Sequence, residues 1–195
     1  MSAQVLAQLP RDARRVVVRG TSGSGKTTLA RRIAASLGVP HVELDSIFHQ
    51  PGWTELPDDE FRRRVDALSD DVGWAICGNY RQVAGTILDR ADTLVIYDLP
   101  RRTVMRRVVT RTLRRAVRRE ELWNGNKEQW RNLVSRDPER SIIAWAWTTH
   151  AERHAEMRSL AASPLRGRLR VVYLGSIDDE RLLYAGLGEP VRKDG

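Results

Sequence analysis

Gly20-Thr21-Ser22-Gly23-Ser24-Gly25-Lys26-Thr27 meets every fixed position of the pattern G-x-x-x-x-G-K-[ST], and no other feature constrains the fold as much. A loop of this kind works only between a buried strand and a helix. Val16-Val17-Val18, just before it, is a β-branched run suited to a parallel strand covered on both faces. Just after it, Leu29, Ile33 and Leu37 share one helical face, and Gly38 is placed to end that helix. Strand, glycine loop and helix thus follow in the order that phosphate binding requires.

The residue types specify the chemistry. Gly20, Gly23 and Gly25 let the backbone turn tightly and bring its N–H groups against phosphate oxygens. The positive end of the helix adds attraction for an anion. Lys26 is placed to reach the β- and γ-phosphates of ATP, and the Thr27 hydroxyl to bind Mg²⁺. Thr21, Ser22, Ser24 and Thr28 complete the predicted nucleotide contact.

The rest of the chain alternates strands with helices. Strands are predicted at Val42–Leu44, ending at Asp45, then at Trp74–Cys77, Thr93–Tyr97 and Leu169–Leu174. Helices are predicted over Asp58–Leu68 and Val83–Arg90, through an arginine block, over a short stretch after Asn124-Gly125-Asn126, over Pro138–Leu160, and at the end. This alternation predicts one α/β domain with a parallel sheet and helices on both faces. Its core is expected over about residues 15–187 and a lid over about 106–130. In such sheets the ligand lies beyond the carboxyl ends of the strands. That places the phosphate loop, Asp45, Gly78 to Arg81, Asp98 to Arg101 and Gly175-Ser176 around one site.

The formal net charge is +8, and residues 101–119 alone carry nine arginines and no acid. The remainder is close to neutral, so the basicity is one local device beside the phosphate loop rather than a coat for nucleic acid. In that helix Met105, Val109 and Leu113 form the predicted apolar stripe, opposite Arg107, Arg111, Arg114 and Arg118. A single cysteine, Cys77, rules out an internal disulfide framework and a cysteine-based metal site. No run of apolar residues is long enough for a membrane span, and the N-terminus does not read as a secretory signal. Both readings point to the cytoplasm.

The phosphate loop, His41-x-x-x-Asp45-x-Ile47-Phe48, Pro51-Gly52-Trp53, Gly78-Asn79-Tyr80-Arg81 and Asp98-Leu99-Pro100-Arg101 together resemble the adenylate-kinase-like P-loop proteins. Within that group the resemblance is closest to the DNA topology modulation proteins, and it covers most of residues 15 to 185. It implies a nucleoside-monophosphate-kinase-like fold, with five parallel strands in the order 2-3-1-4-5 and an arginine-rich mobile lid. One departure matters. In such kinases the strand beside the phosphate-loop strand often ends in an acid near Mg²⁺, whereas here it ends in Cys77, a poor Mg²⁺ partner. Shikimate-kinase-like proteins similarly place acids after the second strand, so the metal-linked role passes to Asp45, acting through water.

The leading reading is an ATP- and Mg²⁺-dependent phosphotransferase acting on a small acceptor, with a nucleotide among the candidates. Lys26, Asp45, Arg111, Arg114 and Arg115 are the expected catalytic groups, and Gly175 and Ser176 join the nucleotide site. Asp45, Trp53, Gly78, Asn79, Tyr80 and Arg81 are expected around the acceptor. Asp98 is expected to be structural. His150 and His154 read as a helix surface, and Trp145 and Trp147 as core packing. A second reading is an NTPase or regulator acting on nucleic acid, with the arginine helix gripping backbone phosphates. It ranks below the first because no stacking platform or recognition helix is evident. A third, a nucleotide binder without catalysis, rests on Cys77 alone.

Overall fold

The computed structural model describes residues 5–6, 8–118, 121–126, 141–163 and 169–188. Its strands are β1 (Val5–Leu6), β2 (Arg15–Gly20), β3 (His41–Glu43), β4 (Trp74–Cys77), β5 (Thr93–Tyr97) and β6 (Arg170–Leu174). They form one sheet, ordered β1-β6-β5-β2-β4-β3, and every pairing is parallel. The five strands expected from sequence are all present, in the order 2-3-1-4-5. The sixth, β1, was not expected. It is two residues long and extends the edge by pairing with Val171 and Val172, too short a run to carry a periodic signal.

The helices are α1 (Lys26–Leu37), α2 (Leu44–Phe48), α3 (Asp58–Ser69), α4 (Arg81–Arg90), α5 (Arg101–Arg118), α6 (Ile142–Ala162) and α7 (Ile177–Gly186). Side-chain alternation along β2 divides the core into two layers. Val16 and Val18 pack with Leu29 and Ile33 of α1, Val104 and Val108 of α5 and Leu183 of α7. Val17 faces the other way, towards Phe61 and Val65 of α3, Ile87 of α4 and Met157 of α6. Phe61 is fully buried, so its truncation to alanine would cost about 3–5 kcal/mol.

Several expectations are corrected. Leu44 does not extend the second strand. The strand ends at Glu43 and Leu44 opens α2, because its side chain is needed in the layer with Phe48 and Ile76. Asp45 therefore lies in the first turn of a short helix. The buried stripe of α5 is Val104, Val108 and Thr112, one residue out of phase with Met105, Val109 and Leu113. Both stripes have i, i+4 spacing, and Val108 is chosen by contact with the loop: a Cβ on Gly23 would collide with it. Leu113 is left 49% exposed. The predicted short helix after Asn126, Trp130, and the starting residues Pro138 to Arg140 of the long helix lie outside the described residues. Arg119 does too.

His150 is not on a surface. It is buried, with Nε2 3.4 Å from the Leu99 carbonyl oxygen. Trp147, expected in the core, is 55% exposed, and the Arg101 guanidinium lies 3.4 Å from its ring centroid. The arginine stacks there because the ring face offers it a favourable quadrupole.

Candidate active site

The phosphate loop ends β2 and leads directly into α1, with Gly23 at φ 82° and Gly25 at φ 103°. Both conformations are in the range that favours glycine. The loop is braced from two sides. Asn79 holds the Gly20 peptide at both ends: its Nδ2 donates to the Gly20 carbonyl at 2.7 Å, and its Oδ1 accepts from the Gly20 N–H at 3.4 Å. Arg107 of α5 donates to the Ser24 carbonyl and to Tyr97 Oη, and pairs with Glu180 of α7 at 2.6 Å. Its charge is thus used to tie two helices to the loop. The sequence gives no sign that Arg107 differs from its eight neighbours, since its partners lie 83 and 73 residues away.

A cleft of about 1800 Å³ opens beside the loop. Ser22, Gly23, Gly25, Lys26, Thr27 and Thr28 line it, as do Arg111, Arg114 and Arg115 of α5. Asp45, Trp53, Asn79 and Tyr80 stand on its other side. Most of the sequence-derived residues therefore converge on one space. Gly20, Thr21, Ser24 and Gly78 sit beneath its surface, and all four are buried. Arg81 is exposed at the start of α4 and does not line the cleft. Gly175 and Ser176 are also outside it. Their N–H groups donate to Asp179 Oδ2, and the Ser176 side chain caps α7.

Sequence reasoning missed Glu43. It is the last residue of β3, and the register aligns Glu43 with Cys77 and Cys77 with Val18. The acid absent from the end of β4 is thus supplied one strand further out. The Thr27 hydroxyl donates to Glu43 Oε1 at 3.0 Å. The Cys77 sulfur lies 3.9 Å from the same hydroxyl and 3.7 Å from His41 Nε2. Burial, more than the neighbouring Glu43 charge, pushes the Cys77 pKa up to about 12, so at neutral pH it is an uncharged thiol. An acid two residues before Asp45, at the strand's last position, was the available signal.

Asp45 accepts a hydrogen bond from Tyr80 Oη at 2.7 Å. Burial first, and the Asp45 charge second, raise the Tyr80 pKa well above the usual phenol range. Tyr80 therefore remains a donor and fixes the carboxylate's orientation. Tyr80 is itself packed between Phe48 and Phe61, with ring centroids 4.8 and 5.1 Å away.

Gly78 permits this arrangement. Its φ is 144°, and a Cβ there would lie 2.8 Å from Leu44 Cβ, next to Asp45. Gly78→Ala is expected to lower stability by about 1–3 kcal/mol through backbone strain. Gly85→Ala, whose Cβ would meet no atom within 4 Å, is expected to be neutral or stabilising by about 0.5–1 kcal/mol in its helix. Urea midpoints for the two variants check this, and equal midpoints would refute the close-packing argument.

Mg²⁺ fits the donors present. Thr27, Glu43 and Asp45 offer oxygen, the donor this ion prefers, and the one thiol nearby is neutral. Among the described residues no group of three or more His, Cys, Asp or Glu stands together as a metal site. Asp98, which resembles a second acid of this kind by pattern, is elsewhere. It is buried, with Oδ2 2.6 Å from Tyr173 Oη and 2.7 Å from His154 Nδ1.

The sheet order with the phosphate loop at its centre decides the architecture. It is an α/β fold with the phosphate loop after the central strand of a parallel sheet ordered 2-3-1-4-5. No protein-family model matches the chain. A cytidylate kinase from Nitratidesulfovibrio vulgaris is 44% identical over 43 residues, which are 22% of this chain and 18% of that protein. A putative adenylate kinase from Pyrococcus furiosus is 39% identical over 54 residues, 28% of this chain and 30% of that protein. The chain thus spans less than a third of the length of these curated relatives. A solved gluconokinase from Sinorhizobium meliloti 1021 aligns over 91% of this chain and 93% of its own, with 19% identity and a TM-score of 0.49. A shikimate kinase from Bacteroides thetaiotaomicron covers 73% and 82%, with 16% identity and a TM-score of 0.43. The narrower likeness to DNA topology modulation proteins rests on the sequence motifs alone. Among the described residues no helix is long and apolar enough to cross a membrane.

Proposed function

We propose that the protein is a phosphotransferase that moves the γ-phosphate of ATP, as its Mg²⁺ complex, to a hydroxyl of a small acceptor. The observation that carries this reading is the cleft itself, with the phosphate loop and the arginines of α5 on one side and Asp45, held by Tyr80, on the other. The acceptor oxygen forms a bond to the γ-phosphorus while the bond to the β,γ-bridging oxygen breaks. ADP leaves with the bonding electrons, and the hydroxyl proton passes to Asp45. Lys26 and the loop N–H groups hold the β- and γ-phosphates, and the arginines of α5 offset charge on the transferring group. Thr27, with Glu43 behind it, would hold the Mg²⁺, which would supply positive charge to screen the phosphates. The local sequence likeness to nucleotide kinases supports the reaction class.

Arg111, Arg114 and Arg115 distinguish this from a role on nucleic acid. Changing all three to Gln is expected to lower turnover and ATP affinity, with DNA making no difference to either. If α5 instead gripped DNA, binding would fall with salt at a log–log slope of about −0.9 per phosphate contact. The triple variant would then flatten that slope and leave ATP binding intact. A salt-sensitive DNA complex that survives Lys26→Ala but is lost in the triple variant would overturn the reading.

A further inference from the structure

The two walls of the cleft differ in charge. The wall formed by residues 43–80 contributes Glu43, Asp45 and Glu55 and no arginine or lysine. The facing wall, from α1, α5 and α6, contributes Lys26 and seven arginines. The turn that follows α5 adds to the acidic side. Its Glu121 and Trp123 line the cleft, and the turn is fastened to the loop after α2. Asn124 Nδ2 donates to the carbonyls of Ser46 and His49 at 3.2 and 2.5 Å. Asn126 Nδ2 donates to the Gln50 carbonyl at 2.9 Å, and its Oδ1 accepts the Trp53 N–H at 2.9 Å.

This docking builds an aromatic corner. The His49 and Trp123 rings lie 5.9 Å apart at 23°, and Trp53 stands at 87° to Trp123 with 6.4 Å between centroids. Trp53 holds φ 60°, a conformation costly for a bulky residue. The ring stays 39% exposed at the cleft rather than buried. Two ring faces set at right angles beside carboxylates suit a flat or chair-like ring with hydroxyl edges. Carboxylates accept hydrogen bonds from hydroxyls, and both carboxylates and indole faces attract an amine cation. A phosphate or carboxylate on the acceptor would face like charge there, with no cation among the described residues of that wall to offset it.

Building on the phosphotransferase reading, we infer that the acceptor is a ring-bearing alcohol carrying no phosphate or carboxylate, seated between the Trp53–Trp123 corner and the Asp45–Glu55 carboxylates. A neutral sugar, an amino sugar and a free nucleoside share this chemistry. Nucleoside monophosphates and sugar acids do not.

The test is equilibrium binding by calorimetry to the full chain with Mg²⁺ and a non-hydrolysable ATP analogue, paired with ADP release from ATP. The probes are glucose, inositol, glucosamine, adenosine and cytidine, against AMP, CMP and gluconate. One non-anionic probe is expected to bind at least about tenfold more tightly than any anionic one, and which probe it is separates sugar from nucleoside. Trp123→Ala and the exposed Glu55→Gln are each expected to weaken that probe by about tenfold or more, the scale of a lost ring stack. Affinity for the ATP analogue is expected to be unchanged in both. Binding without ADP release would keep the acceptor class and remove the phosphotransferase reading. ADP release best stimulated by AMP, CMP or gluconate would keep that reading and overturn the class. Binding of no non-anionic probe, or binding indifferent to both substitutions, would also overturn it.

Discussion

Lys26→Ala is expected to lower ATP-dependent turnover by about 10²–10³-fold, the scale of removing one preorganised charge donor from a transition state. Lys26 opens α1 directly after Gly25 and lines the cleft. Its ammonium is the loop's only side-chain cation. Without it, the loop N–H groups and the helix end still hold phosphate, so ATP affinity is expected to fall less than turnover. Lys26 belongs to neither core cluster, and the melting temperature is expected to stay within a few degrees of wild type. Lys26→Arg is expected to recover little activity, because a planar fork does not replace a compact ammonium in a tight loop. Turnover near wild type in the alanine variant would refute the assignment of the loop.

What was legible in the sequence had local causes. The glycine spacing, the valine run of β2 and the repeat along α1 each fix a conformation within a few residues, so the loop and five strands were found. Asp45, Asn79, Tyr80 and Trp53 were placed near one another because strand ends gather at one edge of a parallel sheet. What was missed depends on registers and contacts between distant segments. Glu43 gains its position from a three-strand row through Cys77 to Val18, which no single segment encodes. Arg107 ties the loop because, at its level along the face it shares with Arg111, it meets Ser24, Tyr97 and Glu180 from three distant segments. Asn124 and Asn126 read as turn residues, yet their amides fasten that turn to residues 46–53. His150 reads as a surface residue from its own helix, and what buries it is contact with a segment 51 residues away, at the Leu99 carbonyl.

In the proposed phosphotransferase the carboxylates of Asp45 and Glu43 would divide the remaining roles, and paired substitutions separate them. Asp45 is hydrogen-bonded to Tyr80, towards the acceptor wall, whereas Glu43 is hydrogen-bonded to Thr27. Asp45→Asn keeps the shape and still accepts from the Tyr80 hydroxyl, but it loses the charge and the basicity. Turnover at saturating acceptor and Mg²⁺ is expected to fall by about 10², with the Mg²⁺ dependence unchanged. Glu43→Gln keeps an acceptor for the Thr27 hydroxyl and removes the charge behind it. Its expected signature is a rise of about tenfold or more in the Mg²⁺ concentration for half-maximal turnover, the usual effect of losing a group that supports a metal ligand. Excess Mg²⁺ is expected to restore most of that loss and none of the Asp45→Asn loss. Tyr80→Phe removes only the group that orients Asp45, so its effect is expected to be smaller than that of Asp45→Asn and equally insensitive to Mg²⁺. Mg²⁺ titrations of the three variants decide the matter. If Glu43→Gln shows the Mg²⁺-insensitive loss, the base is Glu43 and Asp45 is structural. If neither substitution changes turnover, this cleft is not where phosphate is transferred.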